Sequence, residues 1–109
     1  MFKFVVIYRR VDDEDALERF FVNTHLRLVE QLPSLLKTEV SRVLGKPGGQ
    51  SRFYLMVESY FASKEDYQEA MFSQIGIELI QGFRPWDEAK LLTWFYAEAF
   101  EDVPKTNEE

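Results

Sequence analysis

Three segments of this chain read as β-strands that are apolar on both faces, and this narrows the available folds more than any other feature. From Phe2 to Tyr8, the residues Phe2, Phe4, Val6 and Tyr8 alternate with Lys3, Val5 and Ile7. From about Arg52 to Phe61, Phe53, Leu55 and Val57 oppose Tyr54, Met56 and Tyr60. From Thr93 to Phe100, Trp94, Tyr96 and Phe100 oppose Phe95, Ala97 and Ala99. Successive strand side chains point to opposite faces, so a sheet built from these segments needs cover on both sides. A further strand is expected from about Leu36 to Leu44, joined to the next by the Gly45-Lys46-Pro47-Gly48-Gly49 loop, whose glycines allow positive φ.

Two helical segments separate the strands. Asp12 and Asp13 offer N-caps for the first, Glu14 and Asp15 suit the positive end of its dipole, and Pro33 stops it. Ser63 and Asp66 have the spacing of a capping box and open the second. Its apolar side starts with Tyr67, Ala70 and Met71 and continues through Ile75, Leu79, Ile80 and Phe83; Gly76 predicts a kink or break. Gly82 and Pro85 are expected to end that helix, with a short helical turn over Trp86 to Leu92. The order βαββαβ gives a ferredoxin-like α+β fold, a four-stranded antiparallel sheet with both helices on one face. The other face has no cover within the chain, so a homodimer packed sheet to sheet is expected. One domain is expected over 1–101, followed by a polar acidic tail over 102–109.

Composition supports a second buried surface. A chain of 109 residues buries roughly 65% of its unfolded surface in one core. With 10 Phe, 5 Tyr and 2 Trp, this chain has more rings than such a core readily hides, which points to an interface or a ligand cavity. It has no cysteine, which excludes disulfides and thiolate metal sites. A single histidine excludes a histidine-rich metal cluster. The net charge of −6 disfavours nucleic acid and anionic membrane surfaces as partners. Lys37, Arg42, Lys46 and Arg52 flank one hairpin and read as solvated strand ends. No apolar run reaches transmembrane length, and Met1 leads straight into a strand, so a cytoplasmic location is expected. Phosphate loops, nucleophile elbows and metal-ligand spacings are missing.

That histidine lies in the first helix. At 100° per residue, Leu17, Phe21, His25, Leu28 and Leu32 form one stripe, while Arg19, Asn23, Arg27 and Glu30 fall on the solvated side. An imidazole among apolar side chains must find a partner. It is either a general acid/base facing an apolar pocket or a core histidine bonded to a backbone carbonyl or a tyrosine. Candidates for an orienting partner are Glu58, Tyr60, Tyr96 and Tyr54. Glu58 and Glu98 stand mid-strand among apolar neighbours, and each is either a base, a histidine partner or a glutamate on an interface or wet sheet face. Phe4, Tyr8, Tyr54, Trp86, Trp94 and Tyr96 line either a pocket for a flat ligand or the core.

The run Phe21, His25, Leu28, Leu32-Pro33 resembles the aromatic-x3-His-x2-Leu signature, ending in Leu-Pro, of the EthD-like family of dimeric α+β barrels. Phe61 with Ser63, the Met71-Phe72-Ser73 run and Gly76 resemble the second half of that family, so the resemblance spans roughly Phe4 to Phe100. Where the family commonly has proline two residues after the histidine, this chain has Arg27, which predicts a more regular helix there. The resemblance implies a homodimer in which each subunit keeps a cavity between its sheet and helices for a small hydrophobic or aromatic molecule. It makes His25, with Glu58, Tyr60 and Tyr96, the candidate acid/base set for an isomerase-like, cyclase-like or oxygenase-like step. A non-catalytic accessory or binding protein is the alternative. Asn23, His25 and Trp94 share residue types with haem-degrading relatives, but their spacing does not match, and no cofactor is expected.

Overall fold

The structure is a computed structural model that describes residues 1–105; residues 106–109 of the expected tail lie outside the described residues. Strand β1 (Phe2–Arg9) leads to α1 (Glu14–Phe20), a π-helical segment (Phe21–Leu26) and a short α2 (Arg27–Val29). Then come β2 (Lys37–Arg42), β3 (Phe53–Phe61), α3 (Lys64–Phe72), α4 (Gln74–Glu88) and β4 (Leu92–Glu98). The strands form one antiparallel sheet in the order β2-β3-β1-β4. This is the ferredoxin-like α+β fold that the segment order predicts.

Local chemistry explains most element ends. Asp13 accepts the Ala16 N–H at 3.0 Å and caps α1, and Ser63 accepts the Asp66 N–H at 3.1 Å and caps α3. The break expected at Gly76 falls three residues earlier. Ser73 donates to the Ala70 carbonyl at 2.6 Å, closing α3, and accepts the Gly76 N–H at 3.1 Å, opening α4. Gly76 is there because the two helices meet too closely for a side chain.

Helix α4 also runs past Gly82 and Pro85 to Glu88, contrary to the expected stop. Proline removes one helical hydrogen bond, the one to the Gln81 carbonyl. Both residues are exposed, so water can serve that carbonyl. The helix ends instead at Lys90, in the left-handed region at φ 60°. There the Leu91 N–H reaches the Trp86 carbonyl at 2.8 Å and the Lys90 N–H reaches that of Asp87 at 2.9 Å, a Schellman closure.

Register assigns the faces. Phe4 lies between Ser59 and Tyr96, Val6 between Val57 and Trp94, and Tyr8 between Leu55 and Leu92. These residues face the helices, and their buried members join Leu17, Phe21, Leu28, Leu79 and Phe83 in the core. The open face carries two different halves. Val5, Ile7, Met56 and Phe95 are apolar, and Phe95 is 44% exposed. Lys3, Glu58, Tyr60, Lys37 and Glu39 form a polar network beside them. The uncovered face, expected from alternation to carry apolar and aromatic residues, is therefore apolar over only part of its area.

Candidate functional site

Two departures from regular winding shape the surroundings of His25. The π-helical segment from Phe21 to Leu26 contains it, although Arg27 in place of proline predicts a regular helix there. In that segment the Arg27 N–H bonds the Thr24 carbonyl, and the Arg27 side chain donates through Nε to the Asn23 carbonyl at 2.9 Å. Arg27 thus stabilises an irregular turn by supplying a side-chain donor where the backbone donor is diverted. The second departure is a β-bulge. The β1–β3 register jumps from Tyr8↔Leu55 to Arg9↔Phe53, which leaves Tyr54 as the extra residue. A bulge re-aims its side chain, and Tyr54 donates to Glu18 of α1 at 2.6 Å.

His25 is 1% exposed. Its Nδ1 lies 2.8 Å from the Tyr8 hydroxyl. Phe83 packs edge-on at 4.7 Å between centroids, Phe21 at 5.6 Å and the Tyr8 ring at 5.7 Å. Burial pushes the imidazole down from its ordinary 6.5 to about 3 and pushes the Tyr8 phenol above its usual range. Both groups are therefore neutral at physiological pH. The Tyr8 hydroxyl has no other acceptor among the described residues; with the hydroxyl donating to Nδ1, the neutral imidazole carries its proton on Nε2. Among the described residues Thr38 Oγ1 is the one fully occluded side-chain polar atom without a partner. Nε2 makes no hydrogen bond among the described residues.

None of the residues expected to orient His25 touches it. Glu58 stands on the open sheet face and pairs with Lys3 at 2.6 Å. Tyr60, on the same face, donates to Glu39 at 2.7 Å, and that bond pushes its phenol up to about 12. Tyr96 is on the helix side but away from the histidine, against Phe2 and Tyr67 at 5.5 Å each. Glu98 is exposed at the end of β4, opposite Phe2. Tyr54 is taken by Glu18, which Arg42 also holds with two bonds of 2.8 and 3.1 Å. The Arg42 contacts, then the Tyr54 hydroxyl, hold the Glu18 carboxyl below the usual range. Sequence reasoning counted Tyr8, the true partner, only as a ring. Its signal was that it is the sole hydroxyl on the strand face that carries Phe2, Phe4 and Val6.

Among the described residues, open surface clefts of about 600, 580 and 240 Å³ lie at the Arg9–Arg52 end of the sheet, beside Tyr60 and Met1, and on the outer surface of α4. His25 lines none of them. At the histidine, the space between sheet and helices is occupied by Tyr8, Phe21 and Phe83, with Phe20 and Trp86 packed beside Tyr8, their centroids 5.1 Å apart. Among the described residues no group of three or more potential ligands could hold a metal ion, and no helix is long and apolar enough to cross a membrane.

With this geometry in view, similar proteins are informative. No family model matches the chain. The crystal structure of an ethyl tert-butyl ether d (EthD) family protein from Bacillus halodurans C-125 superposes with a TM-score of 0.85 at 33% identity, over 92% of this chain and 99% of that one. An uncharacterized 11.0 kDa protein of Rhodococcus erythropolis, from the thcB-thcC intergenic region, is 25% identical over 76 residues, covering 70% of this chain and 74% of its own. The hydroxynitrile lyase of Passiflora edulis superposes with a TM-score of 0.72 at 17% identity, over 94% of this chain and 96% of that one, a likeness of fold alone.

Proposed function

The chain belongs to the EthD family, and on that premise we propose that it binds a small, uncharged, ring-bearing molecule on the helix side of its sheet, with the His25 Nε2–H as the donor that meets a ligand oxygen. The observation that supports this reading is the 2.8 Å contact between the Tyr8 hydroxyl and Nδ1, which, with the hydroxyl as donor, leaves the ring proton on Nε2. A neutral imidazole with a fixed N–H polarises a carbonyl without delivering a proton. Any chemistry at this site is therefore carbonyl polarisation rather than proton donation by an imidazolium, because burial keeps the ring neutral down to about pH 3. The half-buried Phe20–Trp86 pair beside Tyr8 is the cover that a ligand displaces.

The test is binding of a panel of aromatic aldehydes, ketones and lactones, followed by native mass spectrometry and calorimetry. His25→Phe, which removes the Nε2–H, is expected to weaken binding by about tenfold, the cost of one buried hydrogen bond. Equal affinity in the variant would contradict the assignment. A second reading, a non-catalytic protein whose Tyr8–His25 pair serves packing alone, is favoured by the absence of His25 from the three clefts. Failure of every panel member to bind would select it.

The open sheet face supports a homodimer as well. Phe95, Ile7 and Met56 form an apolar surface with no cover from the described residues of the chain. Light scattering at micromolar concentration should give twice the 12.9 kDa chain mass. Phe95→Lys should give the monomer, and an unchanged dimer in that variant would place the interface elsewhere.

A further inference from the structure

We propose that the cleft at the β1–β3 end of the sheet is a binding site for a small oxyanion, a carboxylate or a phosphate, held by Arg9, Arg10 and Arg52. The chain is acidic overall, yet three arginines line this one open cleft. The backbone that carries them is pinned. The Arg10 N–H bonds the Arg52 carbonyl at 2.7 Å, and the Arg9 N–H bonds that of Leu91 at 2.8 Å.

The Arg10 guanidinium is preorganised. Arg10 donates through Nε to the Ser51 carbonyl at 3.2 Å and through Nη1 to Glu14 at 3.2 Å, with its plane 5.5 Å over the Tyr54 ring. That leaves Nη2 without a protein partner among the described residues. The Arg52 guanidinium lies 5.0 Å over the Phe53 ring. Neither Arg9 nor Arg52 makes an ion pair among the described residues. A guanidinium held by a backbone acceptor and a carboxylate, as Arg10 is, loses little freedom on meeting an oxyanion, and the free forked donors of Arg9 and Arg52 match its geometry.

Asp12 and Glu14 also border the cleft. Three positive charges against two negative ones leave a modest excess, so the expected affinity is millimolar and falls with salt. The bound Glu14 carboxylate competes with an incoming anion for Arg10. Removing that charge therefore strengthens the site.

Inorganic phosphate and succinate are titrated separately into the full chain at fixed low ionic strength. Binding is followed by calorimetry and by amide shifts at Arg10, Ser51 and Arg52. Saturation by phosphate, succinate or both supports the site and assigns its preference. Arg9→Ala with Arg52→Ala should weaken binding at least tenfold. Glu14→Gln should tighten it several-fold, whereas Glu65→Gln on α3, an equal change in net charge, should leave it unchanged. No saturable binding of either anion into the tens of millimolar would overturn the proposal. So would affinity indifferent to the double substitution, or equal tightening by Glu14→Gln and Glu65→Gln. Glu14→Gln keeps the test decisive if the double variant does not fold.

Discussion

Acidification should destabilise this protein in proportion to the protonation of one residue. In the folded chain burial holds His25 near a pKa of about 3, whereas the exposed imidazole of the unfolded chain titrates near its ordinary 6.5. Between those values the unfolded chain holds a proton that the folded chain lacks, so protons favour unfolding. This contribution is complete above pH 6.5 and is lost as pH falls toward 3, at up to about 1.4 kcal/mol per pH unit. Urea unfolding of the wild type between pH 7 and pH 4 should therefore lose about 3 kcal/mol from this group alone. Carboxylates such as Glu18, held low by Arg42, add to the loss in the same direction. His25→Gln separates the two, because an amide accepts the Tyr8 proton but does not titrate. The variant should start less stable and lose less on acidification. Parallel pH profiles for the two proteins would show that His25 is not buried neutral.

Gly76→Ala should produce a loss whose sign distinguishes packing from helix propensity. Alanine favours a helix over glycine by about 1 kcal/mol. If Gly76 were an ordinary position in the first turn of α4, the change would stabilise. A Cβ at Gly76, however, would lie 2.2 Å from the Ala70 carbonyl oxygen and 2.6 Å from Met71 Cα, both backbone atoms of α3. Backbone has no rotamer to change, so α3 and α4 must separate, and Ala70 and Leu79, both fully buried, lose their packing. Overpacking of this kind costs about 3 kcal/mol, which lowers Tm by roughly 15 °C in a domain of this size. Gly82→Ala provides the contrast. Its nearest neighbour is the Thr24 Cγ2 methyl at 3.2 Å, the end of a side chain, so the loss there should be smaller. A rise in Tm for Gly76→Ala would contradict the close helix contact.

The segment order and the buried stripe were legible because they rest on local patterns. Asp13 and Ser63 cap the helices that their positions predict, and Leu17, Phe21, His25, Leu28 and Leu32 are all buried. The partner of the histidine was not legible. Alternation separates Tyr54, Met56 and Tyr60 from Leu55 and Val57, but with both faces apolar it does not say which face meets the helices. Pairing with β1 decides that, and it sends Glu58 and Tyr60 to the open side with Lys3. Where a residue is inserted into a strand, period counting fails, as at the Tyr54 bulge. Pro85 misled for a related reason. A helix tolerates a proline more readily where the carbonyl it orphans reaches water, and solvent exposure of Gln81 cannot be read locally.

The most direct measurement is the nitrogen-15 NMR of the histidine ring, followed from pH 8 to pH 4. With a single histidine in the chain the signals need no assignment. The expected result is a protonated Nε2 and an unprotonated Nδ1 throughout, with Tyr8→Phe shifting Nδ1 because its donor is gone. A ring that titrates with a midpoint near 6.5, or one protonated on Nδ1, would contradict the neutral Tyr8–His25 pair on which the functional reading stands.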